Sequence, residues 1–171
     1  MNRVKKFNHA LLFALLCTPL TGLALSSDRS KPIDIQADKL NINDNQHISI
    51  YQGNVVMRQG SLHIQADKIT FRFNQKNDLQ RLEIEGSPAT LKQLNNKNEP
   101  VSGTAQKITY TDNQLLLELT GNAQFNSNSD TIESEWITIN TETEALKAGS
   151  PEGDSRVRML IQPKNTQGTQ N

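Results

Sequence analysis

One cysteine, Cys17, occurs in 171 residues, so no disulfide can form within the chain. Aromatic residues make up only 5%, and any apolar interior must therefore be mainly aliphatic. No apolar run reaches the roughly 20 residues needed to span a bilayer. Charge of one sign is also lacking, with 18 Lys and Arg against 18 Asp and Glu, where a nucleic-acid binder would show a basic excess on one face. Catalytic signatures are absent too. The sequence holds no Gly-rich phosphate loop, no G-x-S-x-G, no H-E-x-x-H and no C-x-x-C, and nothing in it calls for a cofactor or a metal.

What is present begins with an export signal. Arg3, Lys5 and Lys6 precede an apolar run from Ala10 to Leu16, which continues through Leu20 to the small residues Gly22 and Ala24. This is the pattern of a secretory signal peptide over residues 1–24, cleaved after Ala24. Leu16 stands where a lipobox carries Gly or Ala, which disfavours lipidation of Cys17. Removal of the signal leaves 15 basic against 18 acidic residues and no cysteine, in a soluble, exported chain.

Beyond residue 30 the apolar residues recur at every second position: Ile33 and Ile35, Ile48 and Ile50, Val55 and Met57, Leu62 and Ile64, Leu82 and Ile84, then Leu115, Leu117 and Leu119. That is strand periodicity, interrupted by Asn- and Asp-rich turns, and the expected class is all-β with antiparallel pairing. A weak internal repeat aligns Ala37, Ala66, Ala105 and Ser134, spaced by 29, 39 and 29 residues, each followed by a glycine turn such as Gly53-Asn54 or Gly121-Asn122. Four related, stacked units are implied.

Each unit changes parity. Leu62, Ile64 and Ala66 give way to Ile69, Phe71 and Phe73, and a regular strand could not turn both sets to one core. A bulge or bend near Asp38, Asp67 and Gln106 would restore the facing and fold a long sheet into two layers around an apolar interior. Candidates to line that interior are Ile50, Ile64, Phe71, Ile84, Leu117, Phe125 and Ile137. They could form a packed core or a trough for acyl chains, and composition does not separate the two. A stack of this kind leaves open edges. The strands around Ile33, Ile35 and Leu40 and around Val157, Met159 and Ile161 are the candidates for strand addition, unless short loops, Lys31-Pro32 and Pro163 cap them.

Polar candidates read as structural. His47 and His63 have the wrong parity for the core, Asp38 and Asp67 recur at the expected bends, and Asn41 to Asn45 lacks the Gly and Glu of a calcium loop.

The ordered set of Pro32-Ile33-Asp34-Ile35, Gly53-Asn54-Val55, Gln59-Gly60, Ile64-Gln65-Ala66-Asp67-Lys68, Gly86-Ser87-Pro88-Ala89-Thr90, Pro100 to Ala105 and Leu119-Thr120-Gly121-Asn122-Ala123 resembles the OstA-like family of periplasmic bridge proteins in lipopolysaccharide export. The resemblance implies a β-jellyroll over residues 25–162, opened into a V-shaped, two-layer stack with an apolar groove, and a polar, disordered tail at 163–171. It implies a periplasmic transport protein without catalysis or cofactor, carrying lipopolysaccharide by its lipid A acyl chains. Groove positions carried over by motif are Ile33, Ile35, Leu91 and Tyr110. Implied partners are an inner-membrane LptC-type anchor at the N-terminal edge, an outer-membrane LptD-type assembly protein at the C-terminal edge, and further copies head to tail. The last repeat departs from the family, with Ser134-Glu135-Trp136 in place of Ala-Asp-Lys. The other reading is a β-solenoid enzyme or binding module acting on cell-envelope polysaccharide, against which the irregular repeat spacing counts.

Overall fold

The computed structural model describes residues 28–128, 130–150, 153 and 156–162. The expected signal segment 1–24, with Cys17, and the tail 163–171 lie outside them. Ten strands account for most of the described chain: β1 (Asp34–Gln36), β2 (Lys39–Asn43), β3 (Ile48–Gln59), β4 (Leu62–Phe73), β5 (Leu79–Leu94), β6 (Pro100–Thr111), β7 (Leu116–Ser127), β8 (Asp130–Asn140), β9 (Leu146–Gly149) and β10 (Arg158–Leu160). No α-helix occurs among the described residues.

All pairings are antiparallel, in one open sheet ordered β1-β3-β4-β5-β6-β7-β8-β10. At one end β1 and β2 both pair with β3, covering different halves of it. At the other, β10 and β9 divide β8 in the same way. The sheet is thus a stack of bent rungs, and a solenoid of parallel coils is excluded.

The bend follows one line across every rung. Gly53 and Asn54 of β3 stand opposite the single residue Asp67 of β4, and Gly121 and Asn122 of β7 stand opposite Glu135 of β8. Between β5 and β6, Gly86 to Pro88 face Gln106. Gly53 and Gly121 take φ near +80°, a conformation that costs other residues, and a Cβ there would meet the side chains of Asp38 and Gln106. Asp38 also accepts a hydrogen bond from Asn54 Nδ2 at 2.9 Å, and its amide donates to the Gly53 carbonyl at 3.0 Å. Asp38 therefore locks the bend in the first rungs.

The parity change acts as expected. On β4, Ile64 and Ala66 are buried before the bend and Ile69 and Phe71 after it. Along the bend one half of the sheet carries small side chains, with Val55 opposite Ala66, Ala89 opposite Ala105, and Ala123 opposite Ser134. The other half carries a continuous large row, Tyr51, Ile69, Ile84, Ile108, Leu119 and Ile137. Small against large lets the halves close. Leu119 reaches across to Gly103 of the opposite half, where its Cδ2 would lie 2.9 Å from an added Cβ.

Three expectations need correction. The glycine turns at Gly53, Gly86 and Gly121 lie inside long strands as bulges; they do not separate strands. Ile50 lies opposite Thr70, on the face turned away from Ile69 and Phe71. The cause is the Gly53-Asn54 insertion, which preserves parity along β3 and brings Ser49 and Tyr51 inward. Leu115 precedes β7 in a left-handed turn conformation, and only Leu117 and Leu119 point inward from that run.

Candidate functional site: an apolar trough with open ends

Residues directly opposite in a ladder share a face, so the register traces the interior across the molecule. One half of the sheet carries the unbroken inward row Ile35, Met57, Ile64, Leu91, Gly103, Phe125, Ile132 and Met159, from β1 to β10. The facing half carries Ile42, Ser49, Phe71, Leu82, Tyr110, Leu117, Ile139 and Leu146, from β2 to β9. Both rows run from edge to edge.

The centre is filled. Ile64, Ile84 and Ile137 are fully buried, and Phe71 nearly so, in edge contact with Tyr51 at 5.8 Å and stacked with Phe73 at 6.1 Å. Ile35, Leu91, Tyr110, Leu117 and Phe125 are half-buried against this core. Exposure rises at the ends. Among the described residues the well-exposed large hydrophobics are Ile33, Leu40 and Ile42 at one edge and Val157, Met159, Leu160 and Ile161 at the other, from 47% for Val157 to 64% for Ile161. Near the N-terminal edge a cavity of about 390 Å³ is lined by Ile42, Ser49 and Phe73, with Asp44 and His47. At the C-terminal edge one of about 220 Å³ lies between Phe125, Ile132 and Met159 of one half and Ile139 and Leu146 of the other.

Charge is kept outside. Glu83, on the outer face, meets Lys107 at 3.1 Å, Arg72 at 3.4 Å and Arg81 at 3.5 Å, while Glu85 pairs with Lys68 at 3.1 Å. Burial works to raise the Glu83 carboxyl, but the hydrogen bond and charge of Lys107, the hydrogen bond from Arg72 and the charge of Arg81 outweigh it and hold the group below its ordinary value. His63 faces outward between Arg58 and Lys92, and His47 ends a 3-10 turn. No cluster of three or more His, Cys, Asp or Glu suited to a metal ion occurs among the described residues.

One repeated feature escaped the sequence reading. Asp44-Asn45-Gln46 and Asp112-Asn113-Gln114 form equivalent 3-10 turns, each followed by a left-handed residue, His47 or Leu115, whose carbonyl accepts an amide from a later rung, Phe73 or Thr141. The identical tripeptides were the available signal.

An antiparallel stack of bent rungs around an apolar interior, half-buried along its outer rows and most exposed where the sheet ends, is the class of β module that the fold defines. The chain belongs to the LptA/(LptD N-terminal domain) LPS transport protein family, whose model matches residues 34–145, a family of transport proteins and not of enzymes. It is 31% identical to the lipopolysaccharide export system protein LptH of Pseudomonas aeruginosa over 84% of this chain and 86% of that protein. With the lipopolysaccharide export system protein LptA of Escherichia coli K12 it shares 28% identity over 96% of this chain and 89% of the relative. The crystal structure of LptH, described as the periplasmic LptA homologue of the lipopolysaccharide transport device, matches with a TM-score of 0.71 over 80% of this chain and 99% of that one.

Proposed function

We propose that this protein carries lipopolysaccharide through the periplasm, with the acyl chains between the two apolar rows and the polar head outside. The observation that carries this reading is the pair of inward rows that run unbroken from one edge to the other and end in exposed Ile, Leu, Val and Met. Ile35, Leu91, Tyr110, Leu117 and Phe125 are the first contacts for an entering chain, and Ile33 lies at the entrance. Ile64, Phe71, Ile84 and Ile137 meet it only after the halves part. Residues 1–24 are removed on export, and 25–162 form the lipid-binding unit.

The edges support assembly by strand addition. Counting β1 with β2, and β9 with β10, the stack has eight rungs. Eight is even and every neighbour is antiparallel, so the first and last rungs run in opposite directions. A second copy translated along the stack therefore meets β10 and β9 antiparallel with its own β1 and β2. Displacement of β10 by an incoming β1 would instead leave a parallel pair on β8. In this reading the N-terminal edge receives an LptC-type anchor, the C-terminal edge an LptD-type protein, and either edge another copy.

Photo-crosslinkers placed singly at Ile35, Leu91 and Tyr110 test the trough. They should capture lipopolysaccharide, while sites on the outer face, Asp34 and His63, should not. Capture confined to the outer-face sites would overturn the reading.

A further inference from the structure

The motif Gln59-Gly60 takes no part in the trough, yet it has a partner. It opens the turn between β3 and β4, and the segment 28–31 lies across that turn. Asp28 is only 7% exposed although it bears a carboxylate. Its side chain accepts a hydrogen bond from the Ser61 hydroxyl, whose oxygen in turn accepts the Leu94 amide at 3.1 Å. Gln59 Nε2 donates to the Lys31 carbonyl at 3.1 Å, and the Lys31 amide donates to the Asp28 carbonyl at 2.9 Å. A Cβ on Gly60 would overlap the Asp28 carboxyl, so this seat exists because residue 60 has no side chain.

The seat lies just ahead of β1, a strand of three residues held to β3 by the pairs Asp34 with Arg58, Ile35 with Met57 and Gln36 with Val56. So short an edge strand frays unless its ends are fixed. The bend at Asp38 and Gly53 fixes one end, and the Asp28 seat fixes the other.

We propose that Asp28 and Ser61 form a latch that positions β1 to receive a partner strand, which makes Asp28 a positioning residue for the N-terminal junction. The proposal rests on assembly by strand addition. Its distinctive consequence is one-sidedness: the latch touches none of β8, β9 and β10, so its loss disables one edge and spares the other.

Full-length variants analysed by light scattering and amide exchange test it. Asp28→Ala and Ser61→Ala should each raise the apparent dissociation constant for self-assembly on the order of tenfold, as for loss of a charge-assisted hydrogen bond. Exchange at Ile35 and Gln36 should quicken, with lipopolysaccharide binding and melting temperature unchanged. Asp28→Asn, which keeps an acceptor oxygen but not its charge, should fall between wild type and Asp28→Ala. Asp28→Ala mixed with Met159→Pro, a variant weakened at the other edge, should favour a one-to-one pair at concentrations where neither variant assembles alone, since each supplies the edge the other has impaired. If Asp28→Ala assembles as well as wild type, or fails to pair with Met159→Pro, the latch is wrong while strand addition stands. If wild type itself neither assembles nor pairs with Met159→Pro, strand addition fails and the latch with it.

Discussion

Glu83 gathers three cations on the outer face while its own side chain is only 16% exposed. Because its pKa in the folded state is depressed, the stability it contributes is fully present above the ordinary value of 4.5 and is lost as pH falls through the lowered one. Glu83→Gln should lower unfolding free energy by about 1 kcal/mol at neutral pH, a modest figure because its partners are well exposed. In urea titrations the gap to wild type should close on acidification below that value; a gap independent of pH would show that packing, not charge, is at work. Gly53→Ala is expected to cost about 1–3 kcal/mol, from the left-handed backbone and the contact with Asp38, while Gly149→Ala, where nothing lies within 4 Å, should be silent. Residue by residue, alternation placed Met57 and Ile64 on one inward row and Leu117 on the other, while Leu91 came from the family resemblance alone. It misled at Ile50, because hydrophobicity does not reveal that Gly53-Asn54 inserts two residues opposite one.

Strands impose their own tests. β10 has three exposed residues, so its contribution to the monomer is small, and under the proposed strand addition its role is the edge it offers. A proline at Met159 costs a ladder hydrogen bond where that N–H is paired, and its ring disturbs the edge that a partner strand would meet. Met159→Pro should raise the concentration needed for assembly about tenfold, the weight of one ladder hydrogen bond and its neighbours, with the melting temperature little changed. Light scattering over a concentration series beside thermal unfolding measures both, and a matching loss of both would mean that β10 belongs to the core. Element boundaries were less legible than element type. Short β1 and β2, and likewise β9 and β10, each behave as one bent rung, a relation set by pairing to a common neighbour and invisible in local composition. The Asp-Lys steps did mark where the rungs bend, because a change of parity has no other remedy in a sheet with one buried face.

For the whole molecule the decisive property is that cohesion is carried by neighbouring rungs. Circular dichroism should show a β spectrum with less than about a quarter helix. A charge in the central row should be felt widely: Ile64→Asp, fully buried between Met57 and Leu91, should prevent folding, since an unpaired carboxylate there costs several kcal/mol. Ile35→Asp, half-buried at the edge, should fold and lose lipopolysaccharide binding. Native-gel mobility and lipid capture on the two variants separate core from entrance. The even count of rungs has one more consequence. Under the proposed head-to-tail assembly, a stack built by pure translation would present the same pair of unlike faces whether it held one unit or several, so the gap it spans and the neighbours it recognises could vary independently. Lengthening the span would require no new recognition surface, only another identical step.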